Sequence, residues 1–146
     1  MQIIKDNQII DDNWTYIADD MPIQAGNITI SQQRWLQDKQ QLAGHDGQLG
    51  LRLTSTDNIA DISDDLGKFN LIELEFAAFT DGRSFSMAKL LRDRFQFSGE
   101  LRATGNFIRD QIFYLSRVGI NSFNLGDCSD LEGAVASLND FTVHYQ

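Results

Sequence analysis

Hydrophobic residues along the chain fall into short apolar runs separated by helical-period stretches. Gln2-Ile3-Ile4 and Gln8-Ile9-Ile10 flank Lys5-Asp6-Asn7, whose Asp and Asn favour a turn, so the first residues read as a β hairpin. A short strand at Trp14 to Ile17 and a loop at Asp19-Asp20 to Pro22 follow. Apolar strand runs then recur at Ile28 to Ile30, Leu49 to Leu53, Leu71 to Phe76, Leu101 to Thr104 and Ser122 to Leu125.

Helical patterns fill the gaps. Ser31 caps a helix that Gly44 ends, and Asp57 caps one that buries Ile59, Ile62 and Leu66. Ser84 caps a third that buries Phe85, Ala88, Leu91 and Phe95, with Lys89 and Arg92 outward. Asn106 caps a fourth, closed at Gly119, and the Ser129 to Glu132 capping box opens a fifth over Leu131, Val135 and Leu138. The alternating tail Phe141 to Tyr145 reads as an edge strand or an extended strap.

The pattern predicts an α/β fold of about five consecutive βα units. Its sheet is largely parallel, an open doubly wound sheet or a partial barrel with all helices on one face. One domain spans residues 1–146: hairpin and loop over 1–26, βα units over 27–140 and a terminal strand over 141–146. An exposed edge in a partial barrel would favour a homodimer.

Composition narrows the function. The net charge is −9, yet the segment from Asp81 to Ile120 holds seven basic residues (Arg83, Lys89, Arg92, Arg94, Arg102, Arg109, Arg117) against four acidic ones (Asp81, Asp93, Glu100, Asp110). That segment is +3, which leaves −12 for the rest of the chain. Such a balance argues against nucleic-acid binding but suits one small anion. No apolar run is long enough to span a bilayer and no secretory signal is seen, so a cytoplasmic location is expected. Cys128 is the only cysteine, which removes an intrachain disulfide or a Cys-x-x-Cys redox pair.

Candidate chemistry gathers at the carboxyl ends of the strands, where βα loops meet. Thr80-Asp81-Gly82-Arg83-Ser84 joins a strand to a helix start, so its backbone donors and guanidinium suit an anion. A plain turn with Asp81 paired to Arg83 is the alternative. Arg102 interrupts a strand that should be buried and therefore needs an anionic partner. Glu73 and Glu75 share a face at a period of two and are its natural partners. Either they form a structural pair, or Glu75 and Arg102 line a pocket with Glu75 as general base. Arg109, in the first turn of its helix, supports an anion site near Gly105 and Asn106, with the neighbouring Asp110 as the ordinary alternative. The candidate anion-binding set is thus Asp81, Gly82, Arg83, Arg102, Gly105, Asn106 and Arg109. His45 and His144 are far apart and make no metal site, and Cys128 is more readily a buried thiol than a nucleophile. Neither a dinucleotide fingerprint nor a Walker loop is present, so no cofactor is assigned.

The series Phe79-Thr80-Asp81-Gly82-Arg83, Ser86, Leu91-Arg92, Gly99-Glu100-Leu101-Arg102-Ala103, Gly105, Asp110-Gln111 and Arg117-x-Gly119 resembles a bacterial family of unknown-function domains. Its members are described as oxidoreductases of sulfite reduction. The resemblance implies a role in assimilatory sulfite or sulfate reduction, with sulfite reductase components as expected partners. Absence of a cofactor motif favours an accessory protein that binds a small sulfur oxyanion. A small oxidoreductase, or an interaction module that docks to sulfite reductase, are the alternatives.

Overall fold

The β-branched and leucine-rich runs form eight strands of a single sheet. They are β1 (Gln2–Lys5), β2 (Gln8–Asp11), β3 (Thr15–Tyr16), β4 (Ile28–Ser31), β5 (Leu49–Leu53), β6 (Leu71–Phe76), β7 (Glu100–Gly105) and β8 (Ser122–Phe123). The computed structural model describes residues 2–76, 82–105, 112–125 and 131–144, with residues 137 and 139–144 described by their backbone alone. Helices α1 (Gln32–Leu42), α2 (Gly82–Asp93), α3 (Ile112–Arg117) and α4 (Leu131–His144) and a 3-10 segment (Ile59–Lys68) fall between or after the strands.

Strand order is β2-β1-β8-β7-β6-β5-β4-β3. Strands β3 to β8 run parallel, and the β1–β2 hairpin joins β8 antiparallel. The order forces curvature. β2 and β3 lie at opposite edges, yet only Asp12, Asn13 and Trp14 separate them in sequence. A flat sheet of this width would hold its edges about 34 Å apart, from seven spacings of about 4.8 Å. The link reaches no more than about 15 Å, from Cα steps of about 3.8 Å. The sheet is therefore curled into a half-barrel, and residues 12–14 strap its two edges together.

Alternation divides the two faces. Ile28, Ile30, Leu51, Leu53, Ile72, Leu74, Leu101, Ala103 and Phe123 face the helices and share one core with Trp35, Ile62, Leu91, Ile112 and Leu138. The alternate residues, Thr29, Gly50, Arg52, Leu71, Glu73, Glu100, Arg102 and Ser122, point the other way. That second face is polar in its middle row, where the chemistry described below is concentrated.

Several expectations are corrected. The chain is helical through His144, so the strand expected over 141–146 is absent across 141–144. Between Asn139 and Phe141 there is neither Gly nor Pro to stop α4, and five alternating residues are too few to end a helix already propagating. Ser84 is not a cap: α2 begins at Gly82, and the Ser84 hydroxyl donates to the Glu75 carbonyl at 3.3 Å. The buried stripe of α2 is Ser84, Met87, Ala88 and Leu91, which turns Phe85 outward to 37% exposure and leaves Phe95 half-buried. The stretch after Asp57 is a 3-10 helix capped by Asn58, while the Asp57 carboxylate accepts from the Thr54 amide. Ser31 does cap α1, accepting from the Arg34 amide at 3.1 Å. Caps assigned to Asn106 and Ser129 lie outside the described residues.

Candidate functional site

Strands β6 and β7 are neighbours, and Phe76 at the end of one pairs with Gly105 at the end of the other. The chain thus leaves both strands at one edge of the half-barrel, towards residues 77–81 and 106–111. Asp81, Asn106 and Arg109 lie outside the described residues. Gly82 and Arg83 open α2 and are exposed. The Ser84 bond to the Glu75 carbonyl holds that end of α2 against the end of β6. Gly105 has φ +95°, and a Cβ there would lie 2.5 Å from the Phe76 carbonyl oxygen, so the tight approach of the two strand ends requires glycine. Glu75 is half-buried on the face away from the helices, opposite Thr104.

Arg102 sits elsewhere, in the middle of β7, and is 2% exposed. Its Nη2 lies 2.7 Å from Glu100 Oε2, its Nη1 3.1 Å from Asp12 Oδ1, and its Nε 3.0 Å from Ser122 Oγ. Glu73 stands directly across from it in register, with Oε2 at 4.0 Å from Nη1. The guanidinium is met by the protein's own carboxylates and hydroxyl, so Arg102 is the centre of a buried ion-pair cluster. Sequence reasoning found Glu73 but missed Glu100 and Asp12, and Glu75 is not among the ion-pair partners of Arg102. Glu100 was legible, being two residues along the same strand face. Asp12 was not, because its position depends on curvature of the whole sheet. Burial alone would raise the Glu100 pKa. The Arg102 charge and hydrogen bond, the Ser122 hydroxyl and Lys5 more than offset it, so the carboxyl titrates below its ordinary value.

The same row continues to Arg52, whose Nη2 is 3.5 Å from Glu73 Oε1. Its guanidinium carbon lies 3.9 Å from the Tyr16 ring centroid. Burial raises the Tyr16 phenol, Arg52 opposes this, and Asp19, Glu75 and Glu73 add to it. Ser31, Arg52, Glu73, Arg102 and Ser122 therefore form one lateral row of alternating charge across the open face. Nothing in the motif region signalled Tyr16 or Arg52.

Arg92, expected outward, is drawn in as a clamp. Its Nε donates to the Gly119 carbonyl at 2.9 Å, and its Nη1 to those of Phe97 and Gly99 at 2.7 and 2.8 Å. Gly119 has φ +101°, and a Cβ there would run into the Arg92 side chain. Arg92, Gly99 and Gly119 thus lock the end of α3 to the turn before β7. Beside the clamp, Phe85, Lys89, Arg92 and Asp93 of α2 and Tyr114, Arg117 and Val118 at α3 line a groove of about 480 Å³.

Among the described residues no group of three His, Cys, Asp or Glu is placed to hold a metal ion, and no helix is long and apolar enough to cross a membrane. Cys128 lies outside the described residues. No curated protein and no solved structure matches the chain. A family model does match, over residues 50–146, which include β5 from Gly50 onward, β6 to β8 and α2 to α4 together with Arg52, Glu73, Arg92, Arg102 and Gly119. The chain belongs to the family of bacterial proteins of unknown function DUF934.

Proposed function

We propose that this protein is a cytoplasmic accessory protein of assimilatory sulfite reduction that binds a small sulfur oxyanion at the carboxyl edge of its half-barrel. The observation that carries the reading is the adjacency of β6 and β7. It sets Phe76 and Gly105, from which the chain runs on into the two motif segments, side by side at one edge, and this supports the reading. Arg83 and Arg109 supply the charge, backbone donors near Gly82 and Asn106 supply hydrogen bonds, and Asp81 orients the guanidinium groups. Arg102 stabilises the sheet beneath the site. The sulfur chemistry is supported by the family resemblance of the same residues.

Calorimetric titration with sulfite and with sulfate tests the site, and growth of a deletion strain on sulfate, sulfite or sulfide tests the pathway. Saturable sulfite binding that weakens about tenfold in Arg83→Ala or Arg109→Ala is expected. So is a growth defect on sulfate and sulfite that sulfide relieves and these variants fail to complement. Absence of binding together with normal growth on all three sources would overturn the proposal.

A further inference from the structure

Phe85, Lys89 and Arg92 recur at the spacing of one helix face and line the α2–α3 groove with Tyr114 and Arg117. Phe85 is 37% and Tyr114 58% exposed, so two aromatic rings stand in solvent beside this groove. Its charge is unbalanced: Lys89, Arg92 and Arg117 face one carboxylate, Asp93. Main-chain carbonyls engage Arg92, which leaves its charge without a carboxylate, and no described carboxylate forms an ion pair with Lys89 or Arg117. The rest of the chain is strongly acidic, so an acidic partner is repelled over most of the surface and attracted here.

We propose that the α2–α3 groove docks an acidic segment of a partner protein. Carboxylates of that segment meet Lys89 and Arg117, and one apolar side chain seats between Phe85 and Tyr114. Exposed rings supply the anchoring contact, while the cations set orientation, encounter rate and salt dependence. The groove shares no residue with the proposed oxyanion site, so either can fail without the other.

The test is fluorescence anisotropy of a labelled peptide that alternates Glu with Leu and Phe, titrated with the full chain at about 20 mM and about 200 mM salt. Saturable binding is expected, weakened about tenfold by Lys89→Glu and several-fold by Tyr114→Ala. Arg94→Glu makes the same charge change just past α2, outside the groove, and should alter affinity less than about twofold. The milder pair Lys89→Ala and Arg117→Gln, checked by circular dichroism, separates lost binding from lost folding. No saturable binding at low salt overturns the proposal, as does an equal loss in Arg94→Glu. Self-association of the protein that Lys89→Glu abolishes, without peptide binding, would make the occupant a second copy and also overturn it.

Discussion

Replacing Arg102 by Met keeps an unbranched side chain, shorter by the end of the guanidinium, and removes its charge. Asp12, Glu73 and Glu100 then lose the cation they share, with Lys5 left on Glu100 and Arg52 on Glu73, in surroundings where the three carboxylate side chains are only 13%, 4% and 9% exposed. Removing one partner of a buried ion pair costs about 3–5 kcal/mol, because the remaining charges stay desolvated. Against a total stability of about 5–15 kcal/mol, this loss is large. The pH dependence distinguishes a charge effect from a packing defect. In the wild type the Glu100 pKa is depressed below 4.5, so its contribution is complete above that value and lost as pH falls through its lower folded value. In Arg102→Met, acid neutralises the crowded carboxylates and so relieves the repulsion that loss of the guanidinium created. The stability gap should therefore narrow as pH falls from about 7 to about 4. Urea unfolding followed by fluorescence of Trp14 and Trp35 measures it directly. A loss under about 1 kcal/mol at neutral pH, or a gap that does not shrink with acid, would refute the assignment of Arg102 as a buried structural charge.

Two further outcomes follow from the helix layer. Gly119→Ala places a Cβ at φ +101° against the Arg92 side chain and should lower stability by at least about 1–2 kcal/mol. Combined with Arg92→Met in a double-mutant cycle, its effect should be much less than additive, since both changes break one clamp. Asp65 accepts from the Trp35 indole at 2.9 Å and lies 2.9 Å from Lys39 and 3.3 Å from Lys68, and its pKa is lowered from 3.8 to about 2. That contribution is complete above about pH 4 and lost as pH falls towards about 2, so Asp65→Asn should flatten the acid limb of a stability-versus-pH profile.

Strand positions were legible because apolar runs of this length between turn residues have few other uses, and sequential parallel pairing of β4 to β7 placed Glu73 opposite Arg102. Curvature was legible only as one of two alternatives, the partial barrel beside the open doubly wound sheet. It arises from joining opposite edges through Asp12 to Trp14, a fact of topology that no local pattern encodes. The stripe of α2 was read one position off, since Phe85 outweighs Ser84 on any hydrophobic scale. Here the small Ser84 packs at the strand end and bonds to the Glu75 carbonyl, leaving the ring to solvent. Arg92 was misplaced for a similar reason: a charged residue is expected outside, and carbonyls at Phe97, Gly99 and Gly119 that draw it in converge only after folding. At the candidate site, the adjacency of β6 and β7 followed from strand order, whereas the role of Arg102 depended on the distant Asp12.

The short strap has a kinetic consequence. Pairing of Ile4 with Phe123, and of Asp12 with Arg102, joins residues from opposite ends of the chain, whereas β4 to β7 associate in sequence order. The topology implies that the central strands assemble first and that the hairpin latches late, when the sheet has already bent. Until the latch closes, the nascent sheet exposes two unpaired edges to neighbouring molecules. The net charge of −9 then acts as a chaperone of sorts, keeping half-folded copies apart while each closes on itself.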